Sequence, residues 1–249
     1  MKNTFIIMTR SCLCMLSFAA CAQEPSVQHP LPAFGENIPD GYALVYEQDF
    51  SGEKALDDFE MSDPKTWRRD EKDGEYFLDL TKGIGAYKPK VRSPHSIALL
   101  ATLQVKDFIM EVDVEETDIR NGAHRDACFF FGAEDPTHFY YVHLASIADP
   151  NAHNIFLVND APRTNIAERT TKGIEWGIAI RHRVRIERTF EDGKIRVFFD
   201  DMSAPVMETT DKHFGMGQVG FGSFDNTNRF YEFRLYAPEV AAVQKKFFE

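Results

Sequence analysis

Short runs of alternating apolar and polar residues follow one another along most of this chain, and they constrain its fold more than any other feature. A period of two places successive side chains on opposite faces of a β-strand. Turn-forming residues separate the runs, and Glu191-Asp192-Gly193 between two of them is a strong hairpin signal. The predicted strands are 43–50, 76–80, 98–103, 108–115, 127–132, 139–145, 154–158, 183–189, 194–199, 218–223 and 229–236. Many short strands at this spacing predict an all-β, antiparallel sandwich or barrel.

The chain divides into four predicted parts. They are a signal peptide (1–22), a proline-rich linker (23–41), one β-sandwich domain (42–237) and a C-terminal tail (238–249). The length of the third part is normal for a single β-sandwich. Only 57–59 and 239–248 show a helical pattern.

The first 22 residues have the layout of a secretory signal peptide. Basic residues precede an apolar stretch that is too short to span a bilayer, and small residues follow it. Two cleavage sites fit. Ala20-Cys21-Ala22 matches the A-x-A pattern, whereas Phe18-Ala19-Ala20-Cys21 resembles a bacterial lipobox that would make Cys21 a lipidated N-terminus. We therefore expect an exported protein, either secreted or anchored through Cys21 as a periplasmic or outer-membrane lipoprotein.

Cysteine content limits how the domain can be stabilised, and net charge limits which partners it can bind. Cys128 is the only cysteine outside the leader, so an apolar core must hold the mature domain without an intramolecular disulfide. The formal net charge of -11 argues against nucleic acid as a partner, because phosphate binding needs a concentrated positive field. An acidic polysaccharide is still allowed, because arginines cluster locally. We interpret Arg181, Arg183, Arg185 and Arg188 as a solvated strand face.

Several segments resemble, in the same order, one superfamily of β-sandwich domains. They are Asp49-Phe50-Ser51-Gly52, Trp67 followed by Asp73-Gly74-Glu75, 105–112, 129–132, 135–141, 182–188, 193–201 and 217–222. Together they resemble the concanavalin A-like lectin/glucanase superfamily, including laminin-G-like domains and the 3-keto-disaccharide-hydrolase-like domains of secreted bacterial proteins. The resemblance implies a curved antiparallel jelly-roll β-sandwich. That fold hosts lectins, glycoside hydrolases and polysaccharide lyases, so it implies a carbohydrate ligand without fixing one activity.

The segment 124–160 collects titratable and aromatic side chains on the predicted strands. In the strand 139–145, the better core face carries Tyr140, Val142 and Leu144. Phe139, Tyr141 and His143 then point outward, onto the face that the resemblance implies to be a ligand groove. The neighbouring Phe129 and Phe131 are predicted to point inward. His143 is equally well interpreted as a partly buried histidine bonded to a neighbour.

Two further groups flank these strands. His124, Arg125 and Asp126 come just before the strand 127–132. Arg125 could hold a carboxylate with two hydrogen bonds while Asp126 orients a histidine, or the group could be a structural ion pair at the strand entrance. The second group comprises His153, Asn154 and Arg163. For it, a ligand-binding role and an ordinary Asn/Asp turn are equally good interpretations.

Motifs of high catalytic specificity are absent from the sequence. There is no HExxH, CxxC or GxSxG, and the glucanase carboxylate pattern of the superfamily is missing. Glu111, Asp113 and Glu115 recur with a period of two, and we interpret them as an acidic outer strand rather than a glycosidase pair.

No cofactor is expected, although a structural calcium ion has two candidate ligand pairs. These are Asp49 with Gly52, and Asp225 with Asn226. Turn formation explains both pairs better.

The first function hypothesis is an enzyme that cleaves an acidic polysaccharide by β-elimination. His143 would remove the C5 proton and Tyr141 would protonate the leaving oxygen. Arg125, Arg163 or Asn154 would neutralise the uronate carboxylate. The predicted substrate-binding residues are His124, Asp126, Phe139, His153, Asn154 and Arg163. Action on a keto-sugar glycoside is a variant that the resemblance alone implies.

The alternative is a non-catalytic carbohydrate-binding surface lipoprotein. In that case Phe139, Tyr141 and Trp176 would stack on sugar rings. The density of titratable groups favours the enzyme. A purely structural domain would instead leave the cluster buried and saturated with internal bonds.

Overall fold

The chain folds into two antiparallel sheets packed face to face, as described for residues 30–249 in a computed structural model. The predicted signal peptide, both cleavage sites and Cys21 lie outside these residues. No helix within residues 30–249 is long and apolar enough to cross a membrane. The antiparallel jelly-roll sandwich predicted from the sequence is confirmed by the strand pairing.

The strands are numbered in chain order. They are β1 (Ala43–Gln48), β2 (Phe59–Met61), β3 (Trp67–Lys72), β4 (Glu75–Leu80), β5 (Ser96–Leu100), β6 (Leu103–Gln104), β7 (Phe108–Glu116), β8 (Asp126–Asp135), β9 (His138–Ala145), β10 (Asn154–Asn159), β11 (Thr164–Asn165), β12 (Arg169–Thr170), β13 (Arg181–Thr189), β14 (Lys194–Phe199), β15 (Met207–Thr210), β16 (Gln218–Ser223), β17 (Asn228–Ala237) and β18 (Ala241–Ala242). Short 3₁₀ helices cover Ala55–Asp58, Pro64–Thr66 and Ile119–His124.

Two large sheets form the layers. The front sheet has the order β12-β15-β14-β13-β7-β17-β4-β3, with β1 also pairing with β17. The back sheet has the order β11-β10-β9-β8-β16-β5-β2, and β18 pairs with β6 separately.

The main core lies between the two sheets, and strand parity builds it. Met110, Val112 and Val114 of β7 face it from the front sheet, and Tyr140, Val142 and Leu144 of β9 face it from the back sheet. Phe129 and Phe131 point into the same core. The inward and outward faces predicted for 127–132 and 139–145 are therefore confirmed.

A second apolar cluster covers the outer face of the back sheet. It includes Phe130, Phe139, Tyr141 and Phe156, and the C-terminal Phe247 packs onto it at 1% exposure. The backbone N–H groups of residues 247 and 248 donate to the Glu60 carboxylate, at 2.9 Å each. The helical pattern at 239–248 was misleading, because 241–242 form β18 with β6 and the chain then turns so that Phe247 packs on the back sheet.

The predicted solvated arginine face is also wrong. Arg183, Arg185 and Arg188 are each at most 4% exposed. Arg183 and Arg185 pair with carboxylates on β7, while Arg188 donates to the carbonyl groups of Phe214 and Gly215. Burial is tolerated because each guanidinium finds acceptors inside the protein.

Candidate functional site

Two of the three residues predicted to be catalytic, Tyr141 and His143, lie together on the outer face of the back sheet, whereas Arg125 lies apart from them. Tyr141 and His143 lie on β9 beside Asp126 on β8, and Arg163 reaches over them from the loop after β10. The Arg163 guanidinium donates to the Tyr141 hydroxyl at 2.6 Å and lies 3.4 Å from Nδ1 of His143. His143 Nε2 is 4.0 Å from Oδ1 of Asp126. We call these four residues the back cluster.

The inner part of the back cluster is closed to solvent, and Arg163 at its outer edge is half-buried. Tyr141 is 0% exposed and His143 is 5% exposed. The rings of Phe156 and Phe224 lie 4.5 and 4.3 Å from the Arg163 guanidinium, and His143 stacks on Phe224. The side chains point outward as predicted, and aromatic residues together with the C-terminal Phe247 pack over this face.

His143 is held as a neutral imidazole. Arg163 can only donate, so Nδ1 of His143 is the accepting nitrogen and the ring proton lies on Nε2, towards Asp126. Burial, followed by the charge of Arg163, lowers the pKa of His143 to about 3. An imidazole with so low a pKa is a weak general base at neutral pH.

The pKa of Asp126 is shifted in the opposite direction to that of His143. It is 1% exposed, and burial raises its pKa to about 7. Oδ1 accepts hydrogen bonds from the Ser223 hydroxyl at 2.9 Å and the Phe224 N–H at 2.7 Å. Oδ2 is buried without a hydrogen-bond partner in the described chain. The carboxyl is therefore readily kept protonated inside the protein.

Arg125 and His124 do not join the back cluster by hydrogen bonds. Arg125 pairs with Glu116 and donates to the Gly177 carbonyl at 2.7 Å. This is a structural ion pair at the strand entrance, which was one of the two interpretations that the sequence allowed. His124 is exposed, and its carbonyl accepts from Asn226 at 3.2 Å.

The other predicted binding residues are also internal. His153 is 0% exposed, bonds to Thr171 at 2.9 Å, and has its pKa lowered to about 4 by burial. The Asn154 side chain accepts from the Ala167 N–H at 3.1 Å. Phe139 and Trp176 are buried among other rings, so neither offers a face to a sugar.

The candidate calcium ligands form hydrogen bonds within their own turns. Oδ1 of Asp49 accepts from the N–H and the hydroxyl of Ser51, at 2.9 and 2.7 Å. The Asn226 N–H donates to the Ser223 hydroxyl at 2.7 Å. Across residues 30–249, no group of three His, Cys, Asp or Glu side chains is arranged to hold a metal ion. A structural calcium ion at either of these two turns stays a prediction.

An open groove crosses the outer face of the front sheet instead. Three adjoining cavities of about 480, 390 and 360 Å³ form it. The first two share Glu75, Arg181 and Tyr231, and the last two share Asp49 and Glu232. We call this continuous surface the front groove.

A ladder of alternating charge runs across five strands beside the front groove. Cross-strand pairing places Arg181, Glu115, Arg229, Asp79 and Arg68 in one row. Arg229 lies 3.4 Å from Glu115 and 3.7 Å from Asp79, and Arg68 lies 2.8 Å from Asp79. Opposite charges in facing positions stabilise the sheet and fix the direction of each polar group.

The groove floor presents paired hydrogen-bonding groups. Arg181 donates to both oxygens of Glu75, at 3.1 and 2.5 Å, and these bonds lower the pKa of Glu75. The Tyr231 hydroxyl donates to Glu115 at 2.6 Å, and its ring lies 3.7 Å from the Arg181 guanidinium. Burial, reinforced by the bond to Glu115, raises the pKa of Tyr231 to about 12. Tyr231 therefore stays neutral and holds both charged neighbours in place.

Positive φ values occur at the rim of the front groove. Ala179 and Asp73 line it with φ of 54° and 56°, and Phe50 has φ of 59° between the lining residues Asp49 and Ser51. Such conformations are uncommon outside glycine and persist where the surroundings enforce them, often at functional sites. Asp73 takes its positive φ from the Asp73-Gly74 hairpin turn, and His153 and Asp160 have positive φ away from the groove, so backbone conformation alone does not distinguish this rim.

Two patterns in the sequence predict the pairing of charged residues on this face. The period-two carboxylates are Glu111, Asp113 and Glu115, and the period-two arginines are Arg181, Arg183 and Arg185. Their opposite sign and equal spacing predict neighbouring antiparallel strands, which is the observed pairing of β7 with β13.

No protein-family model matches this chain, and no curated protein matches it. Among solved structures, it is similar to the carbohydrate-binding module CBM66 from Bacillus subtilis at 17% identity, over 70% of this chain and 91% of that one, with a TM-score of 0.48. Peanut lectin matches at 10% identity over 82% and 99% of the two chains, with a TM-score of 0.49. A protein with a galectin-like fold from Bacillus subtilis matches at 13% identity over 82% and 98%, with a TM-score of 0.46. Each score is below 0.5, so the fold assignment depends on the strand order and register given above.

Proposed function

We propose that this protein binds carbohydrate in the front groove and that it acts as an exported binding protein. The observation that carries the proposal is the continuous groove whose floor consists of charged side chains held in fixed pairs. Sites for lipids or drug-like ligands are mostly apolar, whereas this lining is dominated by polar groups that suit a polyhydroxylated ligand.

Planar charged groups are well suited to sugar hydroxyls. A guanidinium presents parallel donors and a carboxylate presents parallel acceptors, so each can bind two neighbouring hydroxyls. Arg181 and Glu75 lie side by side in the groove, and Glu75 keeps 60% of its side chain exposed. The pair therefore offers both kinds of bond at one position.

The charge of the groove favours neutral sugars or amino sugars over uronic acids. Carboxylates outnumber basic groups along it. The carboxylates are Glu47, Asp49, Asp73, Glu75, Glu115 and Glu232, and the basic groups are Lys72, Arg181 and Arg234. A polyuronate would meet net repulsion there.

Binding is favoured over β-elimination because the proposed base is unsuited to it. His143 is buried and its pKa is about 3, so it has little capacity to take a carbon-bound proton. The lyase hypothesis needs the back cluster to open and admit a uronate.

The test is a panel of immobilised glycans: glucans, fructans, galactans, xylans, chitosan and polyuronates. We expect retention on a neutral or amino-sugar polymer, weakened about tenfold by Glu75→Ala, because a hydrogen bond to a charged group is lost. Glu134→Ala, an exposed glutamate on the back sheet, is the matched control and should bind normally. No retention on any polymer would refute the proposal. Ultraviolet absorbance from polyuronates that disappears in His143→Ala would establish the lyase instead.

A further inference from the structure

Residues 30–36, which we call the strap, cross the outer face of the front sheet at one end of the front groove. Pro30 and Leu31 line the first cavity of the groove. The strap belongs to no strand of either sheet, so no sheet hydrogen bonds hold it. Among the described residues, its side-chain contacts run to the sheet below, and residues 34–37 form a turn.

The strap is bound by charged side chains. Arg183 donates to the Pro32 carbonyl at 2.5 Å, and Arg185 donates to the Glu36 carbonyl at 2.6 Å. The Phe34 ring lies 3.1 Å from the Arg183 guanidinium and 4.4 Å from that of Arg234. The strap therefore supplies acceptors and an aromatic face to three arginines.

The strap also supplies a donor to the sheet. The Gly35 N–H donates to Oε2 of Glu111 at 2.8 Å. Under the strap, Arg183 pairs with Asp113 at 2.5 and 2.9 Å, and Arg185 pairs with Glu111 at 3.0 Å. Each of these four residues is at most 4% exposed.

The four covered side chains continue the polar floor of the front groove. Cross-strand pairing places Arg183 opposite Asp113 and Arg185 opposite Glu111, in the rows that follow Arg181 opposite Glu115. The groups under the strap thus repeat the chemistry of the open groove. Charged groups of this kind are tolerated under cover because the strap and their partners satisfy their hydrogen bonds.

We propose that the groups under the strap are a concealed part of the carbohydrate site, and that the strap occupies it as an internal ligand. This inference rests on the proposed function. Carbonyl oxygens accept from guanidinium groups as sugar hydroxyls do, an N–H donates to a carboxylate as a hydroxyl does, and a flat ring packs on a guanidinium. A neutral or amino-sugar oligosaccharide that extends past Arg181 and Glu115 displaces the strap, whereas a short one fits in the open part.

The experiment compares the dimer and the hexamer of the glycan retained in the panel. Amide hydrogen exchange of the unmodified protein is measured with each. The hexamer is expected to raise exchange at residues 33–36, and the dimer is expected to leave it unchanged. Phe34→Ala, which removes the ring contacts to Arg183 and Arg234, should bind the hexamer about fivefold more tightly and the dimer equally. Phe190→Ala is the control, because its ring contacts Lys106 and Arg188 away from the groove.

The outcomes separate the two proposals. If the hexamer binds while exchange at 33–36 is unchanged or lowered, the strap is a fixed wall, and this inference fails while the proposed function stands. If neither the unmodified protein nor Phe34→Ala retains any glycan, the proposed function fails and this inference fails with it. The exchange measurement on the unmodified protein decides the point even where Phe34→Ala does not fold.

Discussion

Replacing Asp126 by Asn should change how stability depends on pH. The carboxyl is buried, and only Oδ1 has hydrogen-bond donors in the described chain, from Ser223, Phe224 and the Cys128 thiol. Asn keeps that oxygen and the shape of the side chain, but it cannot ionise. The substitution therefore removes one titration with little change in packing.

The size of the effect follows from the pKa of Asp126. Burial raises it from 3.8 to about 7 in the folded protein. Between these values the folded state keeps a proton that the unfolded state has lost, so the free energy of unfolding falls as pH rises. One pKa unit corresponds to about 1.4 kcal/mol, so the loss from this group reaches about 4 kcal/mol above pH 7. Relative to the unsubstituted protein, Asp126→Asn should gain that amount between pH 4 and pH 8.

Urea unfolding at several pH values between 4 and 8 measures this difference directly. Asp201→Asn is the matched control, because Asp201 is exposed and its bonds to Ser203 lower its pKa, so its profile should run parallel to that of the unsubstituted protein from pH 5 to pH 8. A parallel profile for Asp126→Asn as well would refute the reasoning, since it would mean that Asp126 is ionised in the folded protein throughout this range.

Three other predictions concern stability and export. His143→Gln should lose more stability at pH 7 than at pH 4 in urea unfolding, because the lowered pKa of His143 makes the unsubstituted protein gain stability as pH rises from 3 to 6.5. Gly220→Ala should lower the free energy of unfolding by about 3 kcal/mol or more in thermal melts, because its Cβ would lie 2.0 Å from the Ala98 carbonyl oxygen. Gly52→Ala is the control and should have little effect, because the space around Gly52 is open. Cys21→Ala should abolish partition of the full chain into detergent if the lipobox is used, and an unchanged partition would exclude lipidation there.

The fold and the side-chain faces were predictable because they depend on local patterns. The alternation in 139–145 decides which side of β9 is buried, and the structure follows it at Tyr140, Val142 and Leu144. The cover of the back sheet was not predictable in the same way. Phe247 reaches Phe139 from a segment more than a hundred residues later in the chain, through contacts that no local pattern reports.

Shifted pKa values point to the back cluster and not to the front groove, where the candidate site lies. The rule that shifted pKa values mark functional sites selects the back cluster, with His143 at about 3 and Asp126 at about 7. Burial is the largest cause of both shifts, and it favours the neutral forms. Neutral groups without access to solvent offer little to a ligand.

Charged groups in the front groove, by contrast, are paired and reachable. Arg181 lowers the pKa of Glu75, so the carboxylate stays ionised with most of its side chain in solvent. The carboxylate of this pair contributes little to stability, because it is exposed and solvent screens its attraction to Arg181, whose side chain is 23% exposed and packs on Tyr231. Its fixed geometry is therefore better explained by recognition of a ligand than by folding. Glu75→Ala should accordingly leave the urea midpoint nearly unchanged while weakening glycan retention about tenfold. A large loss of stability with retained binding would reverse the assignment.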